Sequence, residues 1–267
     1  MDLRARSMSI PVRAPPTFNH LDLFSGIGVF ALGLKLAGIK TGAHYFSDVS
    51  AHANAIYSRH FPKAQALGDA RSVNGCLLRR RHAGRWMLTG GFPCQDIANA
   101  GPRDGLAGRR SNLWWEMHRI IGELRPAFVL AENVPPLCRR GLERVLLSLA
   151  HLGYDAEWEV VSAASIGAPH VRKRIWIAAY PSMLRRVAAV EVHARGRHVA
   201  DRWHIDGPHS WDLPWSAWPE VAASGSILSQ PLIGRVDDGI PPWLDRVTAL
   251  GNAVVPQLVA QILRREP

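Results

Sequence analysis

The residues of this chain whose types and spacing could do chemistry are a cysteine, a glutamate and a pair of arginines. Cys94 stands in Gly90-Gly91-Phe92-Pro93-Cys94-Gln95, directly after the apolar run Arg85-Trp86-Met87-Leu88-Thr89. Pro93 fixes its own φ and lacks a backbone donor, and the glycines let the chain bend sharply or approach a ligand closely, so the segment predicts a tight turn that displays the thiol. A displayed thiol is a nucleophile and a packed one a small hydrophobe; the cysteine alone leaves both readings open. Glu132 follows a second apolar run, Ala127 to Ala131, and leads into Asn133-Val134-Pro135. Arg172 and Arg174 are separated by one residue, which on a strand puts both guanidinium groups on one face, able to hold a phosphate or position a carboxylate.

These groups need elements to position them. His20-Leu21-Asp22-Leu23-Phe24 reads as a strand, Ser25-Gly26-Ile27-Gly28 as a glycine turn, and Val29 to Ala37 as a helix closed by Gly38. Strand, turn and helix in that order make a ligand-binding corner, with the helix N-terminus open to a polar or anionic group. The turn lacks the third glycine of the dinucleotide fingerprint and the Lys-Ser/Thr of a phosphate loop. Tyr45-Phe46-Ser47-Asp48 ends the next strand, and Asp48 falls roughly 20 residues past the turn, where an acidic side chain meets ribose hydroxyls; capping of a helix from Val49 to Arg59 is the competing role. Asp69 is a third acidic candidate for the same crevice. Leu113 to Leu124 has the periodicity of an amphipathic helix that stops before Pro126, and Ile175 to Tyr180 reads as a further strand. The alternation predicts an α/β fold with a doubly wound, mostly parallel sheet, and it sets Cys94 and Glu132 at the carboxyl ends of consecutive strands, the edge that holds the crevice.

Composition bounds the function. The chain has 267 residues, 47% hydrophobic, with Lys plus Arg at 32 against Asp plus Glu at 22. A net charge of +10, overwhelmingly from arginine, favours a polyanionic partner such as nucleic acid. The three cysteines, at 76, 94 and 138, are odd in number and have no CxxC spacing, so neither a cysteine-based zinc site nor a disulfide framework is indicated and a cytoplasmic location is expected. No apolar run reaches the roughly 18 residues that span a bilayer, so no membrane association is expected. Residues 1–19 read as a basic arm, Cys76 and Cys138 as packing residues, and Trp114, Trp115 and Trp243 as core.

In ordered blocks the chain resembles the DNA (cytosine-5) methyltransferases, and in particular their compact bacterial and phage members. Asp22-Leu23-Phe24-Ser25-Gly26-Ile27-Gly28 is similar to the family's S-adenosylmethionine loop, Phe92-Pro93-Cys94-Gln95 to its nucleophile loop and Glu132-Asn133-Val134 to the block that supplies the acid. Arg172-Lys173-Arg174 resembles the arginine block, and Gly251-Asn252-Ala253-Val254-Val255-Pro256 the C-terminal cofactor block. The likeness covers about residues 20–180 and 235–263.

The resemblance implies a Rossmann-like catalytic domain from residues 20–180 and 235–267, with residues 181–234 inserted as a small target-recognition region. It implies S-adenosylmethionine as methyl donor, held by Phe24, Ser25, Gly26, Gly28, Asp48, Val49, Asp69, Pro93, Asn252 and Ala253, and no metal. Cys94 would add to C6 of a cytosine extruded from duplex DNA, Glu132 would bond N3 and N4 and protonate N3, and Arg172 and Arg174 would orient the base at O2. Gln95, Asn99, Arg103, Arg109 and Arg110, in a glycine-punctuated basic segment after the cysteine, would contact the DNA. The helix from Val254 to Leu263 would return beside the first strand–helix corner. A monomer is expected; pairing with a cognate restriction endonuclease, a solitary role and a phage self-protection role all stay open. A transfer-RNA cytosine methyltransferase of the same architecture and a silent DNA-binding relative stay open as alternatives.

Some positions depart from the family pattern. Gln95 is followed by Asp96-Ile97-Ala98 where an aromatic and a serine are common, and His170 stands where the arginine block usually begins with glutamine. Residues 181–234 hold no threonine, although the family often uses one there. They do hold Arg185, Arg186, Arg195, Arg197 and Arg202, interleaved with His193, His198, His204 and His209 and followed by Trp203, Trp211, Trp215 and Trp218. Arginine and aromatics suit DNA readout, and the tryptophans equally suit a small core of their own.

Overall fold

A computed structural model describes residues 17–93, 113–168, 172–182, 196–198 and 254–264. Its centre is an eight-stranded sheet of order β3-β2-β1-β4-β5-β7-β6-β8. The strands are β1 (Thr17–Leu23), β2 (Lys40–Ser47), β3 (Gln65–Ala66), β4 (Trp86–Gly91), β5 (Phe128–Asn133), β6 (Tyr154–Ser162), β7 (Lys173–Pro181) and β8 (Gly196–His198). The first five run parallel, β7 is antiparallel to both β5 and β6, and β8 is parallel to β6. The strand order reverses between β1 and β4, which opens the crevice of a doubly wound sheet at the carboxyl ends of those two strands.

Helices cover both faces. Phe30 and Leu34 of α1 (Val29–Leu36) and Leu258, Val259 and Leu263 of α7 (Pro256–Arg264) bury Phe18, Met87, Leu130 and Trp176 on one side. On the other, α3 (Gly75–Arg81), α4 (Leu113–Leu124) and α6 (Leu142–His151) cover Leu21, Leu23, Leu88, Val129 and Ile177. Strands β4 and β5 are buried on both faces and so begin as continuous apolar runs, as parallel strands under two helical layers must, whereas the equally buried β1 also carries Asn19, His20 and Asp22. A Cβ at Gly33 of α1 would lie 2.4 Å from Val259, so α7 packs directly on the first corner, where the sequence reading expected it.

The expected elements are present, with corrections at their ends. Gly90 and Gly91 belong to β4, paired with Ala131 and Glu132, so the turn before Cys94 begins after Gly91. Glycine is required there for close approach: a Cβ at Gly90 would lie 2.9 Å from the Leu23 carbonyl oxygen, and one at Gly91 would lie 3.1 Å from Glu132 Oε2. Helix α2 (Ala51–His60) starts two residues later than read and is capped by Ser50, whose Oγ accepts from the Ala53 N–H at 3.2 Å, rather than by Asp48. Gly38, with φ 78, ends α1 as expected, in the left-handed conformation. Trp114 is fully buried, whereas Trp115 is 40% exposed, because α4 turns only one side to the sheet.

Candidate active site

The site lies along the carboxyl edge of β1, β2, β4 and β5. Asp22-Leu23 ends β1, and Phe24, at φ 53, takes the left-handed conformation that few non-glycine residues adopt, turning the chain into the corner. Ser25 is buried, its N–H donating to the Ser47 carbonyl at 3.1 Å and its hydroxyl to the same oxygen at 3.4 Å. Gly26 has φ 52, and its N–H donates to Asp48 Oδ2 at 2.9 Å. The other oxygen of Asp48 accepts from the Ser50 N–H at 2.8 Å. Asp48 therefore ties the turn after β1 to the end of β2, and each of its oxygens keeps a further acceptor position. Val49 beside it is an exposed apolar side chain, 78% accessible. The Ser47 hydroxyl donates to the Gly68 carbonyl at 2.6 Å, which brings Asp69 to the same edge.

Asp69 is engaged locally. It accepts from the Arg71 N–H at 2.9 Å and pairs with the Arg71 guanidinium at 3.1 Å, capping a short 3-10 turn, Ala70–Ser72. Arg119 of α4 holds that turn from beneath, donating to the carbonyls of Val73 at 3.0 Å and Ala70 at 3.2 Å while paired with Glu116 and Glu123.

On β5, Glu132 is 7% exposed and lies opposite Gly91. Its Oε1 stands 2.8 Å from Arg174 Nε on β7. Burial raises the Glu132 pKa above the ordinary carboxylate range, and the charges of Arg174 and Arg172 pull it back. Arg172 immediately precedes β7, so both arginines of the pair act on this one carboxyl. Asn133 fixes the neighbouring chain by donating from its amide to the Phe92 carbonyl at 3.1 Å, and Phe92 packs on Trp114 with ring centroids 5.1 Å apart. Pro93, half-buried, is the last described residue before the cysteine.

The structure thus brings Phe24, Ser25, Gly26, Gly28, Asp48, Val49, Asp69, Pro93, Glu132, Arg172 and Arg174 to one edge of the sheet. Cys94, Gln95, Asn99, Arg103, Arg109, Arg110, Asn252, Ala253 and the whole of 183–195 and 199–253 lie outside the described residues. Among the described residues, no group of three or more His, Cys, Asp or Glu is placed to hold a metal, and no helix is long and apolar enough to cross a membrane.

One polar cluster under the corner was not foreseen. Thr89 Oγ1 donates to Asp22 Oδ1 at 2.8 Å and the Tyr57 hydroxyl to Asp22 Oδ2 at 3.2 Å. His20 Nε2 is 2.9 Å from Thr89 Oγ1, His20 Nδ1 is 3.2 Å from His44 Nε2, and His44 Nε2 is 2.9 Å from the Tyr57 hydroxyl, which closes a ring. Burial pushes Asp22 up to about 8, an effect the two hydroxyl donors oppose and Asp48 reinforces. Burial also pushes His44 down to about 4 and His20 well below its ordinary value. The sequence carries a signal for it: His20 and Asp22, two residues apart, share one face of a buried strand.

Comparison with known proteins agrees with this geometry. A family model, C-5 cytosine-specific DNA methylase, matches residues 18–200. The chain is 33% identical over 182 residues to the type II methyltransferase M.AluI of Cellulosimicrobium cellulans, covering 66% of this chain and 33% of that protein. It is 34% identical over 166 residues to M2.BsuMI of Bacillus subtilis (strain 168), covering 58% of this chain and 40% of the relative. The chain therefore spans about a third to two fifths of the length of these relatives. Among solved structures, a putative DNA modification methyltransferase encoded within an Escherichia coli prophage superposes with a TM-score of 0.52 at 26% identity, over 63% of this chain and 48% of that one. The Entamoeba histolytica methyltransferase EhMeth shares the fold, with a TM-score of 0.62 at 15% identity over 94% of this chain and 98% of its own. With the family match extending over more than half of its length, this chain belongs to the C-5 cytosine-specific DNA methylase family.

Proposed function

We propose that this protein methylates C5 of cytosine in duplex DNA, using Cys94 as nucleophile and Glu132 as acid. The observation that carries the reading is the buried Glu132 carboxyl, 2.8 Å from Arg174 Nε, on the strand next to the one that leads through Gly91 to Cys94. C5 of cytosine is a poor nucleophile. Addition of the Cys94 thiolate to C6 makes the ring an enamine with electron density at C5. Charge then develops on the ring at N3, and a carboxyl whose pKa burial has raised can give N3 a proton near neutral pH. Arg174 holds that carboxyl in place, Arg172 adds its charge, and both are assigned to O2 of the base. After the methyl group has joined C5, N3 returns its proton to Glu132, the C5 proton is lost to water, and elimination of the Cys94 thiolate restores the aromatic ring. Because no cytosine inside a duplex exposes C6 to a thiol, the base must leave the stack, and the basic segment from Gln95 to Arg110, with Asn99, Arg103 and Arg109, is assigned to the opened DNA.

The corner fits S-adenosylmethionine. Nothing lies within 4 Å of where a Cβ at Gly26 would stand, the oxygens of Asp48 retain acceptor positions for a ribose diol, and exposed Val49 offers a flat apolar group a surface. Phe24, Ser25, Gly26, Gly28, Asp48, Val49, Asp69 and Pro93, with Asn252 and Ala253, would hold it. When bound, it supplies a methyl group activated on a sulfonium.

The catalytic domain in this reading comprises residues 20–180 and 235–267, with 181–234 as the inserted recognition region; the packing of α7 on α1 supports joining the two ends. Incubation with methyl-labelled S-adenosylmethionine and either duplex DNA or transfer RNA tests the assignment. Label on cytosine of DNA is expected; label on transfer RNA alone would move the substrate, and label on neither would overturn the enzyme reading.

A further inference from the structure

We propose that Tyr57 is a positioning residue for cofactor binding, its hydroxyl locked in the buried ring of Asp22, Thr89, His20 and His44 so that its aromatic face sets the turn at Gly28. This rests on the reading of the Phe24–Gly28 turn as the S-adenosylmethionine site.

Tyr57 touches both walls of that corner. Gly28 has φ 90, and a Cβ there would lie 2.9 Å from Tyr57 Cδ2, so the turn is in contact with the ring. Tyr57 also stacks on Phe46, near the end of β2, with centroids 4.0 Å apart and planes 8° from parallel. The end of β2 carries Asp48, which accepts from the Gly26 N–H. One buried aromatic ring thus sets the spacing between the glycine turn and the strand that bears the acidic residue.

The hydroxyl fixes where that ring sits. With Asp22 ionised, Thr89 and Tyr57 both donate to it, His20 Nε2–H donates to Thr89, and His44 Nε2–H is shared by Tyr57 and His20 Nδ1. With Asp22 protonated on Oδ1, that proton goes to Thr89, Thr89 turns its own to His20 Nε2, and Tyr57 still donates to Oδ2, so the Tyr57 hydroxyl is held in both states. The titratable groups facing Asp22 are His20 on its own strand, His44 from β2, Tyr57 from α2 and Asp48 after β2, while β4 contributes the Thr89 hydroxyl. Neither histidine is a counter-charge near neutral pH, since burial keeps both in the neutral form. A cationic ligand at the adjacent corner therefore binds more tightly once Asp22 is ionised.

Calorimetric binding of S-adenosylmethionine to the wild type and to Tyr57→Phe across pH 6.5 to 9 tests this, together with steady-state kinetics. Wild-type affinity is expected to rise with a midpoint near 8. Tyr57→Phe should weaken binding about tenfold at neutral pH, the scale of one lost hydrogen bond to a buried acceptor, move the midpoint upward, and raise KM with kcat within about twofold. Thr89→Val removes the other donor at nearly constant shape and is expected to act in the same direction, so it carries the test if Tyr57→Phe does not fold. Val145→Ala, a core change on the buried face of α6, should lower the melting temperature and leave affinity and midpoint unchanged. Wild-type affinity, KM and pH midpoint retained in a folded Tyr57→Phe or Thr89→Val would overturn the inference while leaving the cofactor site standing. A wild type that binds no S-adenosylmethionine would overturn the site and the inference with it.

Discussion

Arg174 Nε stands 2.8 Å from Glu132 Oε1, joining two antiparallel strands in which the register sets Trp176, not Arg174, opposite Glu132. The arginine reaches diagonally, past one strand position, to place its charge on a carboxyl whose pKa burial raises. Removal of the charge should move Glu132 further up, so in Arg174→Gln the alkaline limb of the kcat/KM profile, where Glu132 loses its proton, shifts to higher pH. A single-turnover pH profile measures this, and kcat should fall as the base loses a donor at O2.

Glu132→Gln keeps the shape and removes the proton donor to N3. The expected loss is about 10²- to 10⁴-fold in kcat, the range of general acid catalysis, with the dissociation constant for S-adenosylmethionine unchanged. Comparing labelled-methyl transfer with calorimetric binding separates the two.

Gly91 faces the same carboxyl, and its substitution isolates the geometry. A Cβ there stands 3.1 Å from Glu132 Oε2, the end of a side chain that can shift by a few tenths of an ångström. Gly91→Ala is therefore expected to fold and to lose more than tenfold in kcat. Gly90→Ala puts its Cβ 2.9 Å from the Leu23 backbone carbonyl and should instead cost stability, about 1–3 kcal/mol by urea unfolding.

Much of this arrangement was legible in the sequence. Leu113 to Leu124 was read with its observed bounds because one apolar stripe faces the sheet. Glu132 and the arginines could be placed on one edge because strand ends follow from apolar runs. What escaped was set by tertiary contact. Gly90 and Gly91 look like a turn, and only the neighbouring Leu23 carbonyl and Glu132 show that they are strand residues chosen for close approach. The ring beneath the corner joins side chains from β1, β2, β4 and α2, and no local pattern states that His20, His44, Tyr57 and Thr89 meet on Asp22. Asp48 was read at its site, yet its bonds to Gly26 and Ser50 depend on how β2 returns beside β1.

The buried titratable groups give stability a pH dependence with a definite sign. Asp22, raised to about 8, binds its proton more tightly folded than unfolded, so its contribution is full at low pH and is lost as pH rises toward 8. Glu132 acts in the same direction, while His44, lowered to about 4, and His20 add stability as pH rises to about 6.5. Between pH 6.5 and 8 the acids alone remain, and stability should fall by about 1 kcal/mol per pH unit. Urea unfolding across this window is expected to show that slope in the wild type and a flatter one in Asp22→Asn.

The union of the two chain ends has its own test. A Cβ at Gly33 collides with Val259 at 2.4 Å, so Gly33→Ala should destabilise the protein by about 1–3 kcal/mol, and Gly33→Ala with Val259→Ala should recover part of that loss.

The covalent step is the centre of the account, and a duplex carrying 5-fluorocytosine tests it most directly, because fluorine at C5 cannot leave as a proton and the addition product cannot decay. With S-adenosylmethionine present, the protein is predicted to form a denaturation-resistant adduct with the labelled duplex, and mass spectrometry should place the link on Cys94, with none formed by Cys94→Ser. An adduct at another residue, or methylated cytosine from Cys94→Ser at the wild-type rate, would contradict it.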